Sequence, residues 1–172
     1  VRSIFCVKEG KPVKDSVYKE KLLLHGSDIL ASANMQLEKQ FMQHGNVSVF
    51  DHSVAVACTC IWLADRLRIR VDERALVRGA LLHDYFLYDW HVPDKSHRWH
   101  GFFHAGKALA NASRDFTLGK IERDMIARHM FPLNITLPRY RESVILCIAD
   151  KLCATEETVT TRSQYRKISM QY

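Results

Sequence analysis

Several features that would place a chain quickly are missing from this one. No apolar run approaches the ~20 residues needed to cross a bilayer, and no signal-peptide pattern opens the chain. Four prolines and seven glycines are scattered through 172 residues without forming a linker. There is also no internal repeat or low-complexity tract, so a single domain over 1–172 is expected, with its core at about 44–157. Cysteine is sparse and odd in number, at five, and no pair has the C-x-x-C spacing of a zinc ribbon. Cys58, Cys60, Cys147 and Cys153 lie in apolar helical segments, which argues for buried, reduced thiols in a cytoplasmic protein rather than a disulfide framework. No Gly-x-Ser-x-Gly motif supplies a serine nucleophile. The net charge is +6, from 25 basic and 19 acidic residues, yet no block of like charge forms. That balance favours a small anionic partner over nucleic acid, and leaves homo-oligomerisation open.

What is present is helical periodicity. Pro12 to about Met42 reads as helix with a break near Gly26-Ser27-Asp28, and Ser27 or Asp28 can cap the second part. His44-Gly45-Asn46 reads as a helix stop. A buried helix is expected from His52 to about Arg68, capped by Asp51 or Ser48, and another from Glu73 to Tyr88, capped by Asp72. Asp89 to Phe103 reads as a loop, Phe102 or His104 to Phe116 as helix, and Gly119 to Met130 as a short amphipathic helix. After a proline-flanked loop, Tyr140 to about Val159 is helical, with Val144, Ile145, Ile148, Ala149, Leu152 and Cys153 expected on its buried face. A basic tail follows. Ser3–Val7 can form a short strand, but the fold class expected is all-α.

Nine histidines are many for such a domain, and their placement is informative. The run Ala80-Leu81-Leu82 delivers an adjacent His83-Asp84 pair and continues into Tyr85-Phe86-Leu87-Tyr88. Ionisable groups in so apolar a segment need a strong partner, and imidazole with carboxylate suits a divalent metal. His52 opens one helix, His104 begins another, His129 ends a third, and Asp150 interrupts the apolar face of the last. Singly, each has an ordinary explanation as a cap, a dipole partner or a salt bridge. Together they read as one metal site between helices.

The ordered set His52, His83-Asp84 and Asp150 in helical context resembles the HD-domain superfamily of metal-dependent phosphohydrolases, over roughly His44 to Glu157. The segments His100-Gly-Phe-Phe-His104, His129-Met-Phe-Pro-Leu133 and Ala149-Asp-Lys-Leu-Cys153 are similar to those of small bacterial HD-domain proteins of unassigned substrate. The resemblance implies an HD-type helical bundle in which His52, His83, Asp84 and Asp150 hold one metal. It further implies that His104 and His129 hold a second ion, that Asp84 bridges the two, and that Asp84 and Asp150 are the catalytic carboxylates. His100 can replace His104 if its helix begins earlier. One or two ions per chain are expected, drawn from Fe, Mn, Zn, Mg, Co and Ni. The implied activity is hydrolysis of a nucleotide or another small phosphoester by a metal-activated water, with Lys151, Arg78 and His100 as candidate substrate contacts. Departures from the family narrow the substrate. No Lys follows the His-Asp pair closely and no Gly-Tyr-Pro occurs, against cyclic dinucleotides. Leu87 and Tyr88 stand where alarmone hydrolases and nucleoside-monophosphate phosphatases carry acids. The resemblance also admits a di-iron oxygenase and a non-catalytic metal-binding regulatory module.

Overall fold

The computed structural model describes residues 12–44, 46–89 and 100–169, and the side chains of 16–43, 46–89 and 103–159. Among these run seven α-helices: α1 (Pro12–Ala31), α2 (Ala33–Leu37), α3 (Val49–Arg66), α4 (Glu73–Leu82), α5 (His100–Asp115), α6 (Lys120–Arg128) and α7 (Arg141–Ser169). A two-stranded antiparallel hairpin, β1 (Met42–His44) with β2 (Val47–Ser48), links α2 to α3. The fold is an all-α bundle, as the periodicity indicates. The strand expected over Ser3–Val7 lies outside the described residues. No helix among the described residues is long and apolar enough to cross a membrane.

Helix α3 is the axis, packing mainly against α4 and α7. Ser48 starts it, its Oγ accepting from the Asp51 N–H at 3.1 Å. Small and β-branched residues then bury most of its circumference, Val56, Ala57, Cys60, Ile61 and Ala64 among them. All four described cysteines are buried, and burial pushes the thiol pKa of Cys60 and Cys147 up and that of Cys153 to about 12. Asp72 caps α4 in the same way as Ser48 caps α3, accepting from Ala75 N–H at 2.9 Å.

Several boundaries differ from the sequence expectation, each for a local reason. The break in the first helical stretch falls at Ser32, whose Oγ accepts from Met35 N–H at 3.3 Å, and not at Gly26. Gly26 stays helical, and its missing side chain admits α4, since a Cβ there would collide with Leu81. His44 belongs to a strand rather than a helix stop. Helix α4 ends at Leu82, six residues short of Tyr88. Beyond it, the His83 Nδ1–H takes the Ala80 carbonyl at 2.7 Å, and Leu87 adopts a left-handed φ of 61°. The Asn111 amide donates to the carbonyls of Tyr85 and Phe86, at 3.2 and 3.1 Å, replacing the helical bonds they would otherwise accept. Helix α5 begins at His100, and α7 runs on to Ser169, absorbing most of the basic tail. On α7 the inward arc is Glu142, Leu146, Ala149, Cys153 and Glu157, whereas Val144, Ile148 and Leu152 are about half exposed. The expected buried face is therefore half right: Ile145, Ala149 and Cys153 turn inward toward α3 and α6, whereas Val144, Ile148 and Leu152 stay outside.

An ion-pair triad locks three helices together. Arg78 of α4 is buried, with Nη1 at 2.6 Å from Asp28 Oδ1 on α1 and Nε at 3.2 Å from Glu122 Oε1 on α6. Helices α4 and α6 also approach closely at Gly79, where an added Cβ would lie 2.5 Å from Met125 Sδ and 3.1 Å from Met125 Cβ. Replacing a helical glycine by alanine gains about 1 kcal/mol in propensity. Overpacking a fully buried neighbour costs about 1–3 kcal/mol. Gly79→Ala should therefore lower stability by up to about 2 kcal/mol in urea denaturation. An increase would show that the two helices are not in such contact.

Candidate metal centre

Five separate segments bring the site together. His52 stands in the first turn of α3, fixed by the Ser48 cap. His83 and Asp84 occupy the turn that ends α4. His104 lies on the second turn of α5, His129 caps the C-terminus of α6, and Asp150 projects from α7. His52, His83, Asp84, His104 and His129 are 4% exposed or less, so only Asp150, with a side chain 13% exposed, opens toward solvent.

The donor atoms form two groups, His52–His83–Asp150 and Asp84–His104–His129, with one atom per residue lying within 4.8 Å of the others. In the first, Asp150 Oδ1 is 3.3 Å from His52 Nε2 and 3.7 Å from His83 Nε2. In the second, Asp84 Oδ1 is 3.2 Å from His104 Nε2 and 3.3 Å from His129 Nε2. Asp84 belongs to both, since its Oδ2 is 3.4 Å from His83 Nε2.

The chemistry of these donors fits a cation. His83 and His129 each give Nδ1–H to a carbonyl three residues back, Ala80 at 2.7 Å and Ile126 at 2.9 Å, which leaves an Nε2 lone pair facing the site. His52 Nδ1 is held between both oxygens of Glu157, at 3.1 and 3.0 Å, which fixes the ring with its Nε2 toward Asp150. Fixing the far nitrogen in this way sets the tautomer of a metal-binding imidazole and raises its basicity. His83 Nε2 and Asp84 Oδ1 are buried without a well-formed hydrogen bond. His104 Nε2 and His129 Nε2 stand 2.8 Å apart, where two lone pairs require a proton or a positive ion between them.

The charges follow from these contacts. Burial works to raise the pKa of Asp84, but the rings of His83, His104 and His129 hold it well below the usual carboxylate range. Asp150 is lowered in the same manner, His52 and His83 outweighing burial. Burial works against the charged form of His52, yet Asp150 and Glu157 hold its pKa at about 10. His129 is equally buried and shifts the opposite way: burial depresses it, His83 and His104 add to the depression, and Asp84 alone opposes. Glu38 lies beside Asp84 and is pushed well above the usual range by burial and by that neighbouring carboxylate.

Three site residues escaped sequence reasoning. Glu157 could have been found, since it lies seven residues after Asp150 and so on the same face of α7. Gln43, whose Nε2 donates to Asp84 Oδ2 at 2.5 Å, gave no signal, because it comes from the hairpin rather than a helix. Glu38 accepts from Leu87 N–H at 3.4 Å and braces the turn after α4. Among the candidate substrate contacts, Lys151 lies at the open side, with Nζ 3.1 Å from His129 O and 3.9 Å from Asp150 Oδ2. Arg78 is a correction: buried and committed to Asp28 and Glu122, it is a structural residue and cannot meet a substrate. His100 opens α5, but its side chain, like that of His44 and all of His91, lies outside the described residues. Of the aromatic residues after the pair, Tyr85 is core and donates to Asp115 at 3.0 Å, whereas Phe86 stacks edge-on to His104 with centroids 6.0 Å apart.

The family model described as HD domain matches residues 49–155, well over half the chain. The chain belongs to the HD-domain family. Neither the curated proteins nor the solved structures gave a match. HD domains bind divalent metal through histidine and aspartate, and both groups of such residues lie inside the matched segment.

Two predictions come from this geometry. Glu157→Ala should weaken metal binding about 10–100-fold by calorimetry, because His52 loses the group that orients it. The second concerns protein stripped of metal by a chelator. A folded-state pKa of about 10 against an ordinary 6.5 means that protonated His52 favours the fold. That stabilisation is complete below pH 6.5 and lost as pH rises toward 10. Denaturation midpoints should fall across this window, and His52→Gln should flatten the slope. An unchanged slope in the variant would assign the titration elsewhere.

Proposed function

We propose that this HD domain is a metal-dependent phosphohydrolase that cleaves a nucleotide or another small phosphoester. The observation that carries the reading is the convergence of four imidazole Nε2 atoms and two carboxylates, three of the imidazoles being oriented by a partner on Nδ1. His52, His83 and Asp150 would hold one divalent ion and His104 with His129 a second, with Asp84 facing both. Such ions supply Lewis acidity toward a phosphoryl oxygen and a bound water acidified toward neutral pH.

The chain's own residues provide the remainder. Asp84 and Asp150, held ionised by their imidazole neighbours, keep two negative charges fixed at the site. Asp150 marks the solvent-open side, and Lys151 places an ammonium there, suited to a phosphate that must be drawn in and oriented. Phe86 closes the inner wall against His104 and keeps water from the buried ligands. No protein nucleophile is needed for phosphoester hydrolysis of this kind. The same six residues suit a di-iron oxygenase, so oxygen uptake belongs beside phosphate release in any assay.

The test starts with elemental analysis of protein purified without chelator, followed by a panel of nucleotides and small phosphoesters. Bound Mn, Fe, Zn or a similar ion with release of phosphate supports the reading. Asp84→Ala should lose metal and at least about 100-fold in rate together, while far-ultraviolet circular dichroism stays that of a folded helical protein. Full metal content in that variant would refute the site. Oxygen consumption without phosphate release would transfer the assignment to the oxygenase.

A further inference from the structure

The far end of the α3–α4 pair holds a cavity of about 510 Å³, a size suited to a small ligand. His52 opens α3, whereas Ile61, Ala64 and Asp65 line the cavity from its last turns, so it stands ~13–20 Å along the helix from the metal centre. Its floor is aliphatic: Ile61, Ala64, Leu76 and Val77 are buried, and Ile69 and Val71 are half-buried. Its rim is charged, with Lys21, Arg68 and Arg70 set against Asp65 and Glu73.

The acidic rim groups already have partners. Glu73 Oε1 is 2.6 Å from Lys21 Nζ, and Asp65 Oδ2 lies 3.5 Å from the Tyr18 hydroxyl. Arg68 and Arg70 are exposed, and neither guanidinium is ion-paired among the described residues. Arg68 carries a second, independent mark. It follows the last turn of α3 with a φ of 54°, in a helix-ending geometry where Ile69 N–H donates to Ala64 O at 2.9 Å. That position normally takes glycine, because a side chain there is strained. A guanidinium held at a strained position on the lip of an aliphatic cavity is the kind of feature that marks a binding site.

We propose that this cavity is a second binding site, separate from the metal centre, for a small aliphatic anion. The alkyl body lies on Ile61, Ile69 and Val71, and the anionic head meets Arg68 and Arg70. No aromatic side chain lines the cavity among the described residues, which selects an alkyl body over a nucleobase or aryl ring. The unpaired guanidiniums select an anion over a cation or a neutral lipid.

Octanoate tests the proposal, with octanol as its uncharged counterpart, titrated into the full chain carrying labelled Ile, Leu and Val methyl groups. Octanoate should shift the Ile61, Ile69 and Val71 methyls saturably. Arg68→Gly combined with Arg70→Ala should weaken octanoate by about tenfold or more and leave octanol unchanged. Arg68→Gly removes the charge while relieving the strained backbone, so the variant is expected to fold at least as well as the parent. The proposal is overturned if no shift saturates, if the double variant binds octanoate as the parent does, or if the shifts sit at the exposed Val144, Ile148 and Leu152.

Discussion

A single buried carboxylate sets the terms for this fold. Asp84 is 2% exposed, in the turn after a helix that is buried from Ala75 to Leu82. Burying an ion without compensation costs several kcal/mol, which is more than a domain of this size can spare at one position. Compensation comes from four directions: His83 beside it, Gln43 from the hairpin, His104 from α5 and His129 from α6. Each of those elements is held where its donor can reach the two oxygens. Glu38 shows how sharp the constraint is. A second anion next to Asp84 is disfavoured, and the Glu38 carboxyl is pushed toward its neutral form.

The termination of α4 follows from the same requirement. Had the helix continued to Tyr88, as its apolar pattern suggests, His83 and Asp84 would diverge by about 100° around it. With the helix ended there, Asp84 faces His83, His104 and His129 at once. Its backbone is secured by parts of the protein far away in sequence, the Asn111 amide and the Glu38 carboxyl. Such partners cannot be read from the local sequence, which is why the apolar pattern runs six residues past the end of the helix.

The ligand candidates themselves were legible because each breaks an apolar pattern: His83 and Asp84 after Ala80-Leu81-Leu82, Asp150 between Ala149 and Leu152. The helical class was legible from periodicity. What could not be seen was anything settled by contact between elements. Val144, Ile148 and Leu152 share the spacing of a buried face, yet the arc beside them, with Ile145, Leu146 and Ala149, is the one turned inward. Arg78 looks like a surface cation, and only the meeting of α1 with α6 makes it an internal one. Gly26 looks like a helix breaker until Leu81 is placed against it.

The triad of Asp28, Arg78 and Glu122 bears on where this domain begins. The segment matched to the family starts at Val49 and stops at Thr155, leaving out α1, the hairpin and Glu157. A protein cut to those limits would strip Arg78 of Asp28, expose the floor on which Tyr18, Leu22 and Ile29 rest, and free the His52 ring from Glu157. It would keep five of the helices and every candidate ligand while losing the parts that hold those ligands still. The working unit is therefore wider than its recognisable core, and any minimal fragment made for biophysical study has to extend from the start of α1 to beyond Glu157.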